Sequence, residues 1–310
     1  MKKKTSLIIL LLAAFSAIMP YVTAAQVSEP AGTVFPEADR LVAKKVLTLL
    51  FQEKSKAIQA GRTLSTSEMM LMAAKQLSGT PYVGGTLDSD WKGESLRISL
   101  TRTDCILFVE TCLCLAQTVQ SASRPEDASV ECFASNVAAA RYRTAAPPYA
   151  YSDRIHYTTE WIRLKEGKLL EDVTVALGGV ELDHPIFYMS TFSEKYPLLS
   201  DTALNPDAKA DVARIRKVEA ELNRKPMTAI TKDKLASALK EVRSGDIICF
   251  VSSVEGLDIA HVAIAVQKDG RTCFIHASMN EGKVVTDVKT IFEYVSSRRN
   301  LSGIKVVRPL

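Results

Sequence analysis

Histidine and tryptophan are scarce in this sequence, four and two among 310 residues, and no H-E-x-x-H or C-x-x-C run occurs. The spacings that most often hold zinc are therefore missing. An excess of one charge is lacking too. Lys and Arg number 39 against 35 Asp and Glu, and without Lys2, Lys3 and Lys4 the rest is within one charge of neutral. That is not the clustered basic footprint of a nucleic-acid binder. After residue 20 no apolar run approaches the ~20 residues that cross a bilayer. Six cysteines in a chain this long are too few for a disulfide-stapled scaffold. With 47% hydrophobic and 24% charged residues, disordered, collagen-like and coiled-coil classes are excluded, and the length permits a sizeable core.

What is present begins with an address. Lys2, Lys3 and Lys4 form a basic n-region, residues 7–15 an apolar h-region, and Pro20 breaks any helix. Val22, Thr23, Ala24 and Ala25 are small or short residues suited to cleavage after Ala24 or Ala25. The expectation is a signal peptide over residues 1–25 and an exported, most simply periplasmic, protein without stable membrane insertion once the leader is removed. No cysteine stands at the cleavage site to carry a lipid.

Hydrophobic periodicity predicts helices over residues 37–59, 66–77, 104–119, 125–141, 207–223 and 232–241. The helix from 104 is apolar nearly all round and should be buried. Residues 79–86, rich in Gly and Pro, read as a loop. A short strand is expected near 95–100 and another at 173–176. The C-terminal part reads as β: strands at 245–251, 259–266, 272–276 and 304–307, with Lys268-Asp269-Gly270-Arg271 as a hairpin turn. Helices first and an antiparallel meander last make an α+β layout, a helix packed on one face of a sheet.

A nucleophilic cysteine needs help, because a free thiol ionises near pH 8.5. The positive end of a helix and a neighbouring imidazole both favour the thiolate. Cys105 stands at the start of the apolar helix, where Thr103 or Asp104 can cap it. His261 lies in a strand whose period of two puts Ala263 and Ala265 on the same face, small enough to let a helix end approach. His276 on the next strand can hydrogen-bond the other ring nitrogen and set the tautomer. Cys105, His261 and His276 thus form a candidate triad, set against the plainer alternative of a buried cysteine and two structural histidines. Cys249 and Cys273 fall in separate strands and could pair if those strands are neighbours; the rest read as small buried hydrophobes.

Pro81-Tyr82-Val83-Gly84-Gly85, Asp104-Cys105-Ile106-Leu107-Phe108-Val109, Gly245-Asp246-Ile247 and Ala260-His261-Val262-Ala263-Ile264 occur in that order. They resemble the landmarks of the NlpC-type papain-like cell-wall cysteine hydrolases. Ala260 replaces a commoner Gly, and Ile106-Leu107 a commoner Ser-Gly. The long middle segment, with Arg154-Ile155-His156-Tyr157 and Trp161-Ile162, is similar to the branch of N-acetylmuramoyl-L-alanine amidase-like proteins. The resemblance implies a papain-like core over residues 26–310 with a mostly helical insertion at about 121–240. It implies cleavage of the amide between N-acetylmuramic acid and L-alanine in muropeptides, with preference for anhydro-muropeptides and without a cofactor. Cys105 would be nucleophile, His261 base and acid, His276 orienter. Tyr82 would bind substrate or polarise its carbonyl.

Asp104 counts both as a helix cap and as a residue near substrate. Arg154, His156 and Trp161 are candidate sugar or carboxylate contacts, or an aromatic cluster that holds the insertion to the core. His184, before Pro185, reads as a turn residue. Rivals from other classes are an endopeptidase cutting within the stem peptide, a zinc hydrolase using His261 and His276, and a non-catalytic wall-binding module.

Overall fold

The computed structural model describes residues 27–89, 91–144 and 146–310; the signal peptide expected at 1–25 lies outside them. Four long helices come first. α1 (Glu37–Gln59) and α2 (Thr66–Gln76) lead to α3 (Cys105–Ser121) and α4 (Val130–Arg141). α2 begins where the sequence suggests, with Ser65 as its cap and Glu68 accepting the Ser65 N–H in return. The helix expected over 125–141 is broken: Pro125–Asp127 is a 3₁₀ turn, and α4 starts only after Ser129 caps the N–H of Cys132.

The segment at about 121–240 is less uniformly helical than expected. It carries α5 (Thr158–Lys165), β1 (Leu170–Asp172), β2 (Val180–Leu182), α6 (Tyr188–Thr191), α7 (Pro197–Ser200), α8 (Ala208–Leu222), β3 (Met227–Thr231) and α9 (Leu235–Ala238). The strand expected at 173–176 gives way to a turn from Thr174, in which the N–H of Leu177 bonds to the carbonyl of Val173. The strand expected at 95–100 reduces to one bridge, Val34 with Arg97.

The remaining elements are β4 (Ile247–Ser252), β5 (Ile259–Lys268), β6 (Arg271–Ser278), β7 (Lys283–Thr286), α10 (Ile291–Ser296) and β8 (Leu301–Pro309). All pairings in the eight-stranded sheet are antiparallel, in the order β2-β3-β8-β4-β5-β6-β7, with β1 beside β8. The β5–β6 turn has Asp269 at φ 51° and Gly270 at φ 70°, the two positive values that a tight two-residue hairpin requires.

Period-two alternation sorts the central strands onto two covers. Ile247, Cys249, Val262, Ile264 and Ile275 pack with α1 to α4, whereas Ile248, Phe250, Ala263, Ala265 and Phe274 pack with α9 and α10. Ala263 and Ala265 therefore do not make room for α3, as the sequence suggests; they face the opposite cover. Cys249 and Cys273 cannot pair, because β5 runs between their strands, and all six cysteines are free.

One contact locks a helix to the sheet and another locks two helices together. Gly245, at φ +89°, enters β4 so close to α2 that a Cβ would lie 2.2 Å from the Ser67 carbonyl oxygen. The Arg141 guanidinium at the end of α4 grips both oxygens of Glu110 in α3, and both side chains are buried. Removing one partner of a buried ion pair strands the other charge and costs about 3–5 kcal/mol. Arg141→Met is expected to lower stability by about that amount in urea unfolding monitored by circular dichroism.

Candidate active site

Cys105 is the first residue of α3. Asp104 caps the helix, its Oδ1 accepting the Leu107 N–H at 2.9 Å. The N–H groups of Cys105 and Ile106 at the first turn favour the Cys105 thiolate, as does the N–H of Val262 from β5. The last contact ties the helix tip to the strand that carries His261. Burial nevertheless pushes the thiol up to about 12, and the Asp104 charge adds to that, against the pull of the three N–H groups.

β5 is irregular where it meets the site. Phe250 pairs with His261 and Val251 with Ile259, so Ala260 is an extra, unpaired residue. Such a bulge bends the strand and re-aims its neighbour. Ala260 does not adopt a positive φ, which is why alanine serves where glycine is commoner in the resembling family. The His261 ring stacks on Phe250 at 5.7 Å and 22°.

His261 Nε2 lies 2.7 Å from His276 Nδ1. The β5–β6 register, carried one position beyond Ile264–Ile275, sets His276 opposite Ala263, diagonal to His261 on the same face. On the far side, Asp287 Oδ2 is 3.3 Å from His276 Nε2, at ion-pair distance but outside hydrogen-bond geometry. Burial drives His261 down to about 3, helped by the fields of His276 and Arg298, and His276 down to about 4 against the opposing pull of Asp287. Tyr82 is held beside Cys105 by backbone pairing. The Thr103 N–H donates to the Pro81 carbonyl and the Val83 N–H to the Thr103 carbonyl, while the Tyr82 N–H donates to Gly282 at the edge of β7. Burial and the neighbouring Cys105 keep its phenol protonated. Tyr82, Cys105, His261 and His276 line one open cleft of about 680 Å³.

The family model of N-acetylmuramoyl-L-alanine amidase-like (AmiA-like) proteins matches residues 72–304. The chain belongs to this family. An N-acetylmuramoyl-L-alanine amidase from Bacteroides uniformis is 31% identical with a TM-score of 0.69, over 79% of this chain and 98% of its own. A Bacteroides fragilis protein described as a candidate xylanase is 33% identical with a TM-score of 0.67, over 76% of this chain and 99% of its own. A Legionella pneumophila protein, 19% identical, shares the fold at a TM-score of 0.64 over 88% of this chain and 96% of its own. No curated protein sequence matches the chain.

In this amidase-like chain the other expected contacts lie outside the cleft. Asp104 spends its carboxylate on the helix cap. Arg154 is buried, its guanidinium paired with Glu94 at 2.7 Å and Asp88 at 2.7 Å and laid over the Tyr151 ring. His156 bonds the Tyr151 carbonyl through Nε2 at 2.9 Å and is driven down to about 3 by burial and by Arg154. Trp161 on α5 is buried in the main core. Arg154 and His156 hold the middle segment to the core through internal polar partners, and Trp161 does so by its burial. Trp91, Tyr151 and Tyr196 border another pocket of about 410 Å³. His184 bonds the Leu257 carbonyl at 2.8 Å, as a turn anchor would.

Asp287, Tyr294, Phe250 and Arg298 escape sequence reasoning. Asp287 follows β7, a strand of four residues without a clear pattern, and Tyr294 sits on the six-residue α10. The lowered histidines have a consequence for pH dependence. An unfolded histidine binds its proton near pH 6.5, the folded pair only near 3–4, so stability falls as pH drops through that window. The same shift sets the acid limb of kcat/KM. It is expected below pH 5, read on a defined substrate, and a midpoint between 6 and 7 would contradict it.

Proposed function

We propose that this chain is an exported, periplasmic cysteine amidase that cleaves the N-acetylmuramoyl-L-alanine amide of muropeptides. Anhydro-muropeptides are its preferred substrates, and its helix-on-sheet core is papain-like. The observation that carries this reading is that α3 packs on β5 so that Cys105 at the helix tip and His261 on the strand line one cleft. Family membership and the likeness to the Bacteroides uniformis amidase support the bond chosen.

The mechanism follows from the tautomers. His261 Nε2 is committed to His276, which leaves Nδ1 to take the thiol proton. For that, Nε2 of His261 carries hydrogen and donates to Nδ1 of His276, and His276 Nε2–H points towards Asp287. The thiolate attacks the lactyl carbonyl as it forms. The Cys105 N–H and the Tyr82 hydroxyl meet the oxyanion, a contribution worth about 3 kcal/mol per donor in such sites. The His261 imidazolium then protonates the L-alanine nitrogen, the peptide leaves as an amine, and water hydrolyses the muramoyl thioester. No step requires a cofactor.

Digestion of defined muropeptides, read by product masses, tests the proposal. The wild type is expected to free an intact peptide beginning with L-alanine, and Cys105→Ala to free none. Products cut within the stem would instead show an endopeptidase. His276→Ala is expected to lower kcat about 10²- to 10⁴-fold with little change in KM, since it removes the group that sets the His261 tautomer.

A further inference from the structure

The cleft has charged walls that the mechanism leaves unused. Lys283, Lys289 and Arg298 line it, and among the described residues none of the three forms an ion pair. Its two carboxylates are Glu281 and Asp287, and Asp287 is engaged by His276 on one oxygen and by the Lys289 N–H on the other. The unbalanced charge is positive, so the cleft suits an anionic group.

Arg298 stands out among the three cations. Its guanidinium carbon lies 3.9 Å from the centre of the Tyr294 ring, a stacked contact that fixes the plane of the fork. Tyr294 in turn packs against His261 at 6.4 Å and His276 at 6.1 Å. The Arg298 charge bears on both histidines, so it sits beside the reacting centre. Its Nε is buried without a hydrogen-bond partner, so its terminal nitrogens are the ones a ligand can reach. An arginine held flat, facing a cleft and lacking an acidic partner, matches a carboxylate in two-point fashion.

We propose that Arg298 determines specificity by pairing, through its terminal nitrogens, with a free carboxylate of the peptide stem near the scissile amide. This rests on the muropeptide reading above. The nearest such carboxylate belongs to the glutamyl residue that follows L-alanine, and amidation of that residue removes the charge. Arg298 therefore distinguishes acidic stems from amidated ones, and the two lysines add a general attraction without the two-point geometry.

The test uses two anhydro-muropeptides that differ only in a glutamyl carboxylate or its primary amide. Wild type is expected to favour the acid by about 10- to 100-fold in kcat/KM, mostly through KM, as a charge-assisted pair implies. Arg298→Gln is expected to bring the acid-to-amide ratio to about 1, and Arg298→Lys to keep an intermediate ratio. Calorimetry of both ligands on Cys105→Ala reads the same preference without turnover. Failure of the amidase reading then shows as absent or differently placed cleavage while the binding preference persists. Equal binding of acid and amide by Cys105→Ala, no binding of either, or an unchanged ratio in folded Arg298→Gln overturns the proposal. An acid limb that moves in Arg298→Gln while the ratio stays fixed would show that Arg298 only tunes the histidines, and overturns it too.

Discussion

The meeting of the α3 tip with β5, where the Val262 N–H faces the Cys105 sulfur, is the constraint on which the rest depends. Helix and strand come from distant parts of the chain, and neither alone holds a reactive group. Their contact is enforced from both directions. α3 is buried against α1, α2 and α4, while β4, fully buried, anchors β5 in the sheet. The bulge at Ala260 then turns His261 at the mouth of that joint. A shift of one residue in β5 would carry His261 to the opposite face.

Electrostatics in the joint run against ionisation. Burial raises the thiol and lowers both imidazoles. The helix N–H groups moderate the penalty on the thiolate without cancelling it. In the proposed mechanism, proton transfer to His261 therefore accompanies attack instead of preceding it. The His261–His276–Asp287 relay, with Phe250 and Tyr294 packed on its rings, holds one tautomer ready for that transfer. Its arrangement costs stability in acid, a cost that local order at reactive sites commonly carries.

Much of this was legible in the sequence because it obeys local rules. The long helices announce themselves by apolar spacing, the β5–β6 turn by Asp269-Gly270, and Cys105 by its place after a capping Asp104. Other features follow rules that a single chain hides. β1, β2 and β3 are three to five residues long and are strands only because β8 and one another receive them. The cover that Ala263 and Ala265 meet is hidden in the sequence, because period two assigns residues to a common face without saying what packs on that face. Arg154, His156 and Trp161 resemble ligand contacts by type, and only the partners Glu94, Asp88 and Tyr151 of the first two and the burial of the third reveal a structural role. Asp287 and Arg298 carry no motif. They join the cleft through the path of the chain after β6.

The most direct test of the central claim is the mass of the enzyme during turnover. Acid-quenched wild type, mixed with an anhydro-muropeptide and mapped by peptide mass spectrometry, is predicted to carry the sugar-bearing muramoyl acyl group on Cys105. An adduct containing stem peptide, an adduct on another residue, or turnover with Cys105 never modified would contradict the account.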